Sequence, residues 1–421
     1  MNLSITTLPQ ELLDKVFRHC RHDLYALSLT CEALRVATLE TLYERILILY
    51  DEWIKPNPQV SIKRFDISSP RLRHLLRTIL ERPNYALFVH HLEVRAFGSR
   101  SPSPGWFETR VSATESSHQQ IEPYGINQHA SRLGLRDSWR QAIGEGLATV
   151  LVSLLLSLCP NIQHLTLGVD VIGRNHFLAE FIAQAIVSKS SFHHLKQISI
   201  GSGTAERDLS RTMRFAAPNL DPTTYLSFLY FPNLERADLY VFTPTPPDAL
   251  AWPGAVPQAT ALKVLRLHET SVTPIALSSL LSTTLGLTTL GYDFCFDFDH
   301  ELECQEMMSA LEVVKSTLED LQVSCQIWAQ GSFPEEFEYE YIVGHLDFHH
   351  FELTSLRISP CLLFGLSSDA APSLPEVCSE YIYVCFGYTD LIKSYYLEAY
   401  ALSASTTIST ASWLMTGPDL Y

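Results

Sequence analysis

The sequence is poor in charge, and poorest in positive charge. Charged residues make up 18% of its 421 positions, with 30 Lys+Arg against 46 Asp+Glu and a formal net charge of −16. A surface that tracks phosphates is basic, so neither nucleic acid nor an anionic membrane is the expected partner. Long apolar runs are missing too. The longest, residues 147–159, is broken by Thr149, Ser153 and Ser157 and is too short to span a bilayer, so it reads as a buried helix. The opening MNLSITTLPQELLDKVF has no basic n-region and no apolar h-region, and no signal peptide is expected. The nine cysteines run from Cys20 to Cys385 without a single C-x-x-C pair, unlike the dense, even framework of a short secreted domain. Reduced, mostly apolar packing thiols in the cytoplasm or nucleus are expected.

Catalytic signatures are equally scarce. There is no G-x-S-x-G, no H-E-x-x-H and no Walker sequence, and Gly201-Ser202-Gly203 lacks the third glycine of a dinucleotide turn. Cys295 with Cys304, and Cys378 with Cys385, match no zinc spacing. The stretch DFCFDFDHELE gathers Asp293, Asp297, Asp299, His300 and Glu303, a set whose chemistry suits a divalent cation. It lacks the glycine and spacing of a calcium loop and reads as an acidic, aromatic loop between repeats. His349-His350 follow Asp347, and His90-His91 and His193-His194 stand just before strand cores, a recurrence that argues for a structural habit. No enzymatic activity, cofactor or metal is expected.

What is present begins with three short helices. Thr7 and Gln10 fit a capping box, and Pro9 suits a first turn. Leu12, Leu13, Val16, Phe17 and Cys20 follow at one-and-four spacings and share one stripe. Asp23 suits the cap of a second helix carrying Leu24, Leu27 and Cys31, and residues 33–43 read as a third. Fewer than fifty residues make a very small core, and such a unit usually completes its apolar burial against a partner.

This segment resembles an F-box, in the version found in fungal F-box proteins. The resemblance rests on Leu8-Pro9, Glu11-Leu12-Leu13, Val16-Phe17, Asp23-Leu24, Leu27-Ser28-Leu29-Thr30-Cys31, Leu34-Arg35 and Leu42-Tyr43. It implies docking of a Skp-type adaptor through Leu8, Pro9, Leu12, Leu13, Val16 and Phe17, with the adaptor hung on a cullin scaffold that carries a ubiquitin-conjugating enzyme.

Beyond residue 50, Pro56, Pro58 and Ser68-Ser69-Pro70 read as a hinge, and residues 71–81 as an amphipathic linker helix. Residues 98–134, rich in Ser, Gln, Gly and His, read as a long surface loop. Then an apolar-x-x-apolar-x-apolar element recurs. It appears as Val89-Leu92-Val94, Ile162-Leu165-Leu167, Leu195-Ile198-Ile200, Leu234-Ala237-Leu239 and Leu262-Leu265-Leu267. It continues as Leu287-Leu290-Tyr292, Leu318-Leu321-Val323 and Leu353-Leu356-Ile358. From Leu165 onward the middle residues lie 25 to 39 positions apart, with helical patterns at 147–158, 177–187, 274–285 and 307–314. One strand and one helix per unit predict an α/β chain of parallel strands alternating with helices, an irregular leucine-rich-repeat solenoid. The array resembles that of fungal F-box proteins with degenerate repeats. A doubly wound sheet is the competing fold, but no strand is followed by a glycine-rich phosphate turn.

The expected organisation is an F-box over 1–50, a hinge and linker helix over 51–85, a repeat domain over 86–365 and an unassigned tail over 366–421, with a strand near 380–386. Period-two alternation sends the residues between the apolar positions to one sheet face. Arg236, Asp238, Tyr240, Arg266 and His268 become neighbours there and are the candidate substrate-binding residues, since Arg and Tyr are frequent interface anchors. The expected role is a non-catalytic substrate-recognition subunit of a Skp–cullin–F-box ubiquitin ligase, with an unidentified protein as substrate. The alternative is an interaction scaffold unrelated to ubiquitin.

Overall fold

The structure is a computed structural model that describes residues 8–20, 23–50, 70–96, 129, 131, 136–145, 148–168, 171, 176–188, 192–201, 226–240, 250, 252, 254–297, 302–328, 342–359, 362–363 and 381–384. The expectations for Thr7, Pro56, Pro58, Asp299, His300, Cys378 and Cys385 lie outside them, as does nearly all of the loop 98–134. The chain divides into two compact units, Met1–Ala217 and Pro218–Tyr421.

The first unit opens with α1 (Gln10–His19), α2 (Leu24–Ser28) and α3 (Glu32–Glu44). Pro9 stands at the N-terminus of α1, where its missing N–H costs nothing, and its carbonyl accepts from the amides of Leu12 and Leu13 at 3.0 and 3.1 Å. Asp23 does precede α2, but its side chain makes no capping bond, contrary to expectation. α3 then runs without a break into strand β1 (Arg45–Tyr50). The sequence pattern assigns no strand within residues 1–50 and starts the repeat domain at 86. The run RILILY is instead a strand, because its apolar and β-branched residues pair in register with the next strand.

The predicted linker helix forms as α4 (Pro70–Glu81). It is followed by a 3₁₀ turn (Pro83–Phe88), β2 (His91–Ala96), α5 (Asp137–Glu145), α6 (Ala148–Leu158), β3 (His164–Leu167), α7 (His176–Ser188) and β4 (Gln197–Ile200). The four strands pair in parallel and in chain order. α6 packs against α4, α5 and α7, which buries its apolar run.

The second unit holds β5 (Arg236–Tyr240), β6 (Val264–Thr270), α8 (Pro274–Leu281), β7 (Thr289–Asp297), β8 (Leu302–Glu303), α9 (Cys304–Leu311), β9 (Asp320–Trp328), β10 (Ile342–Val343), β11 (Ser355–Ile358) and β12 (Tyr381–Val384). Its parallel sheet has the order β5-β6-β7-β9-β11-β12, and β8 and β10 form a separate two-residue ribbon. Thr273 caps α8, its hydroxyl accepting from the Ala276 amide at 3.2 Å, with Pro274 at the first position. In neither unit does the strand order reverse as it does in a doubly wound sheet. Residues 293–297 continue β7, so the expected acidic loop is a strand through Asp297.

Every sheet row is one repeated position. Ala237, Leu265, Leu290, Leu321 and Leu356 are in register and almost fully buried, as are Leu239, Leu267, Tyr292, Val323 and Ile358. The strand entrances repeat as well. Two successive amides, Lys263 and Val264, donate to the Glu235 carbonyl; Thr288 and Thr289 to Lys263; Glu319 and Asp320 to Thr288; Thr354 and Ser355 to Glu319. In the first unit Gln163 and His164 donate to His90, and Lys196 and Gln197 to Gln163. This shared bonding fixes the register of strands whose connections differ widely in length.

Candidate binding surfaces

The first surface is the helical trio. Its core is Leu13, Phe17, Leu24 and Leu34, with Leu8, Val16, Leu27, Ala37 and Leu42 packed around it. Of the six residues expected to meet a partner, Phe17 is fully buried and Leu13 is 6% exposed; they hold the trio together from within. Leu8 and Val16 sit at the margin, and Pro9 and Leu12 face solvent. Three further apolar residues are open and were not among the expected docking residues: Tyr25 and Leu29, each 69% exposed, and Val36, 60%. They fall outside the α1 stripe, so helical periodicity counted within α1 could not reveal them. The trio joins the rest of its unit through α3, where the Tyr43 and Tyr85 rings lie 4.9 Å apart and Arg82 donates to the Tyr85 hydroxyl at 2.7 Å. Burial, then the neighbouring Tyr85, pushes the Tyr43 hydroxyl above its ordinary pKa.

The second surface is the polar face of the strands. Residues between the buried positions are half-buried or exposed along β2, β3, β4, β6, β7, β9 and β11, as alternation predicts. In the second unit the structure brings all five candidate residues together. Asp238 lies opposite Arg266, and Tyr240 opposite His268. The Arg236 guanidinium forks onto Asp238, at 2.7 Å to Oδ2 and 3.2 Å to Oδ1. Arg266 Nε lies 4.0 Å from the same carboxylate, and the Tyr240 and His268 rings stack at 5.3 Å. Asp238 is therefore an internal anchor, 9% exposed, and does not itself present a contact surface. Period-two alternation also places Gly291 on this face, and it pairs in register with Arg266 on the adjacent strand.

In the first unit, His91 and His164 are paired in register and stacked, with centroids 4.2 Å apart and planes 11° from parallel. His164 Nδ1 lies 3.1 Å from the Gln197 side-chain oxygen. Burial, then His164 and Arg45, lowers the His91 pKa to about 4. His349 Nδ1 lies 2.6 Å from Asp347 Oδ1, a local pair within one turn. Among the described residues no three His, Cys, Asp or Glu side chains are grouped to hold a metal ion, and no helix is long and apolar enough to cross a membrane. Burial raises the Cys159 thiol to about 12, which suits a packing residue.

The chain matches no protein-family model, and no curated protein matches it.

Proposed function

We propose that the chain is a substrate-recognition subunit of a Skp–cullin–F-box ubiquitin ligase. Its helical trio acts as the F-box that docks the Skp-type adaptor, and its parallel repeats form an irregular leucine-rich-repeat solenoid that holds a protein substrate. The observation that carries this reading is the incompleteness of the trio. Four buried side chains make its core, while Leu12, Tyr25, Leu29 and Val36 remain 46% to 69% exposed. Pro9 and Leu12 form the accessible part of the docking surface; Leu13 and Phe17 support it. The chain does no covalent chemistry in this role. Holding a substrate near the conjugating enzyme raises the effective concentration of its lysines.

The test is co-purification with the Skp-type adaptor. The paired substitution Pro9→Ala/Leu12→Asp changes only exposed positions, so it should abolish the complex while leaving far-UV circular dichroism unchanged. A wild-type chain that fails to hold the adaptor, or a substituted chain that holds it as well, overturns the assignment.

One observation favours a second reading. α3 continues directly into β1, so the trio also suits a cap on the edge of an interaction scaffold unrelated to ubiquitin. In that case neither adaptor nor cullin would be recovered with the wild-type chain, and Pro9→Ala/Leu12→Asp would leave every partner in place.

A further inference from the structure

We propose that the sheet face of the second unit carries a carboxylate receptor centred on Arg266 and floored by Gly291, which takes the Asp or Glu side chain of an extended peptide segment. The proposal rests on the substrate-recognition reading and names the substrate class.

One row across the strands carries it: Asp238, Arg266, Gly291, Gln322 and Arg357 are successive partners in register. Asp238 is already held by the Arg236 fork through both oxygens, at 2.7 and 3.2 Å. At 4.0 Å it is too far from Arg266 Nε for a hydrogen bond, so it orients that guanidinium without occupying its donors. The Arg266 side chain is 41% exposed. On its other side, a Cβ at position 291 would stand 3.1 Å from Arg266 Cγ. The absence of a side chain at 291 thus lets the Arg266 stem lie across the sheet, although a glycine weakens a strand interior. Beyond the glycine come Gln322 and Arg357, one strand spacing of about 4.8 Å apart. Between Arg266 and Arg357 the row carries no acid, in a chain whose net charge is −16.

The charges beside this row decide between anions. On the same face, Asp293 stands two residues along β7 from Gly291, and Asp320 two residues along β9 from Gln322. A phosphate with charge of about −1.5 to −2 meets roughly twice the repulsion from these acids that a single carboxylate does. A carboxylate also matches the planar guanidinium fork.

The test uses the full chain, immobilised, and two degenerate octapeptide mixtures with blocked ends, one with Glu fixed at the centre and one with Gln. A third mixture carries phosphoserine there. Wild type should retain the Glu mixture about tenfold better than the Gln mixture. Arg266→Ala should erase that preference, and Gly291→Ala should reduce it by displacing the Arg266 stem. Arg266→Lys should keep part of it. Unchanged thermal unfolding of the Arg266 variants separates lost binding from lost fold. Equal retention of Glu and Gln mixtures, an Arg266→Ala chain that keeps the preference, or stronger retention of the phosphoserine mixture overturns the proposal. Adaptor binding by the same Arg266→Ala chain is scored separately. Its loss from every chain would sink the ligase reading while a surviving Glu preference would keep the receptor.

Discussion

Single residues show where burial and strain compete. Phe192 has φ of 62°, left-handed backbone that a non-glycine residue adopts at a cost of about 1–2 kcal/mol. Its ring is 2% exposed and meets Phe181 edge-on at 5.8 Å. Truncating a buried Phe costs about 3–5 kcal/mol, so packing outweighs strain. Phe192→Gly should lower stability in urea unfolding, despite freeing the backbone. Tyr292 occupies a position that its neighbours fill with Leu, Leu and Val, and its hydroxyl donates to the Val272 carbonyl at 2.6 Å. Tyr292→Phe removes that bond and should cost about 1 kcal/mol in the same measurement. His91 sets a pH dependence. Its folded pKa of about 4 lies below the ordinary 6.5, so between those values the unfolded chain takes up a proton that the folded chain refuses. The stability tied to His91 is therefore present above pH 6.5 and lost as pH falls towards 4. Denaturant midpoints at pH 7.5 and 5 should diverge more in wild type than in His91→Gln.

At the scale of elements, the trio separates support from surface. Leu13→Ala or Phe17→Ala opens the four-residue core and should cost about 2–5 kcal/mol, seen as early exchange of α1–α3 amides. Leu12→Ala, at an exposed position, should stay within about 0.5 kcal/mol. Strand positions were largely legible in the sequence because most strands bury alternate residues against the core, as in β3, where Leu165 and Leu167 are buried and His164 and Thr166 are not. Strand β1 was not, because RILILY directly continues a helix and carries no turn residue before it. α5 escaped as well. Its main anchor is tertiary, with Trp139 fully buried and its indole N–H donating to Glu180 on α7 at 3.0 Å. The candidate substrate patch was legible because period two and strand pairing suffice to place Arg236, Tyr240, Arg266 and His268 together. The buried role of Asp238 was not, since it is the Arg236 fork, with Arg266 at 4.0 Å, that makes burying that carboxylate tolerable.

At the scale of the whole chain, the governing fact is that within each unit every strand of the parallel sheet lies beside the one that precedes it in that sheet, β8 and β10 standing apart in their own ribbon. A β5 residue pairs with β6 and a β9 residue with β7 and β11, so apolar rows pass burial from neighbour to neighbour. Such stacks behave as sums of unit stabilities and nearest-neighbour terms. Leu290 is the sharpest probe of this, being fully buried and flanked in register by Leu265 and Leu321. Leu290→Ala leaves a cavity touching both neighbours and should cost about 2–5 kcal/mol. If stability is passed between nearest neighbours, native-state hydrogen exchange should show the largest loss of protection at β7 amides. β6 and β9 should lose nearly as much, and β5 and β11 distinctly less. Uniform loss over all five strands would mean that the second unit opens as one cooperative block, and the nearest-neighbour description of its sheet would have to be abandoned.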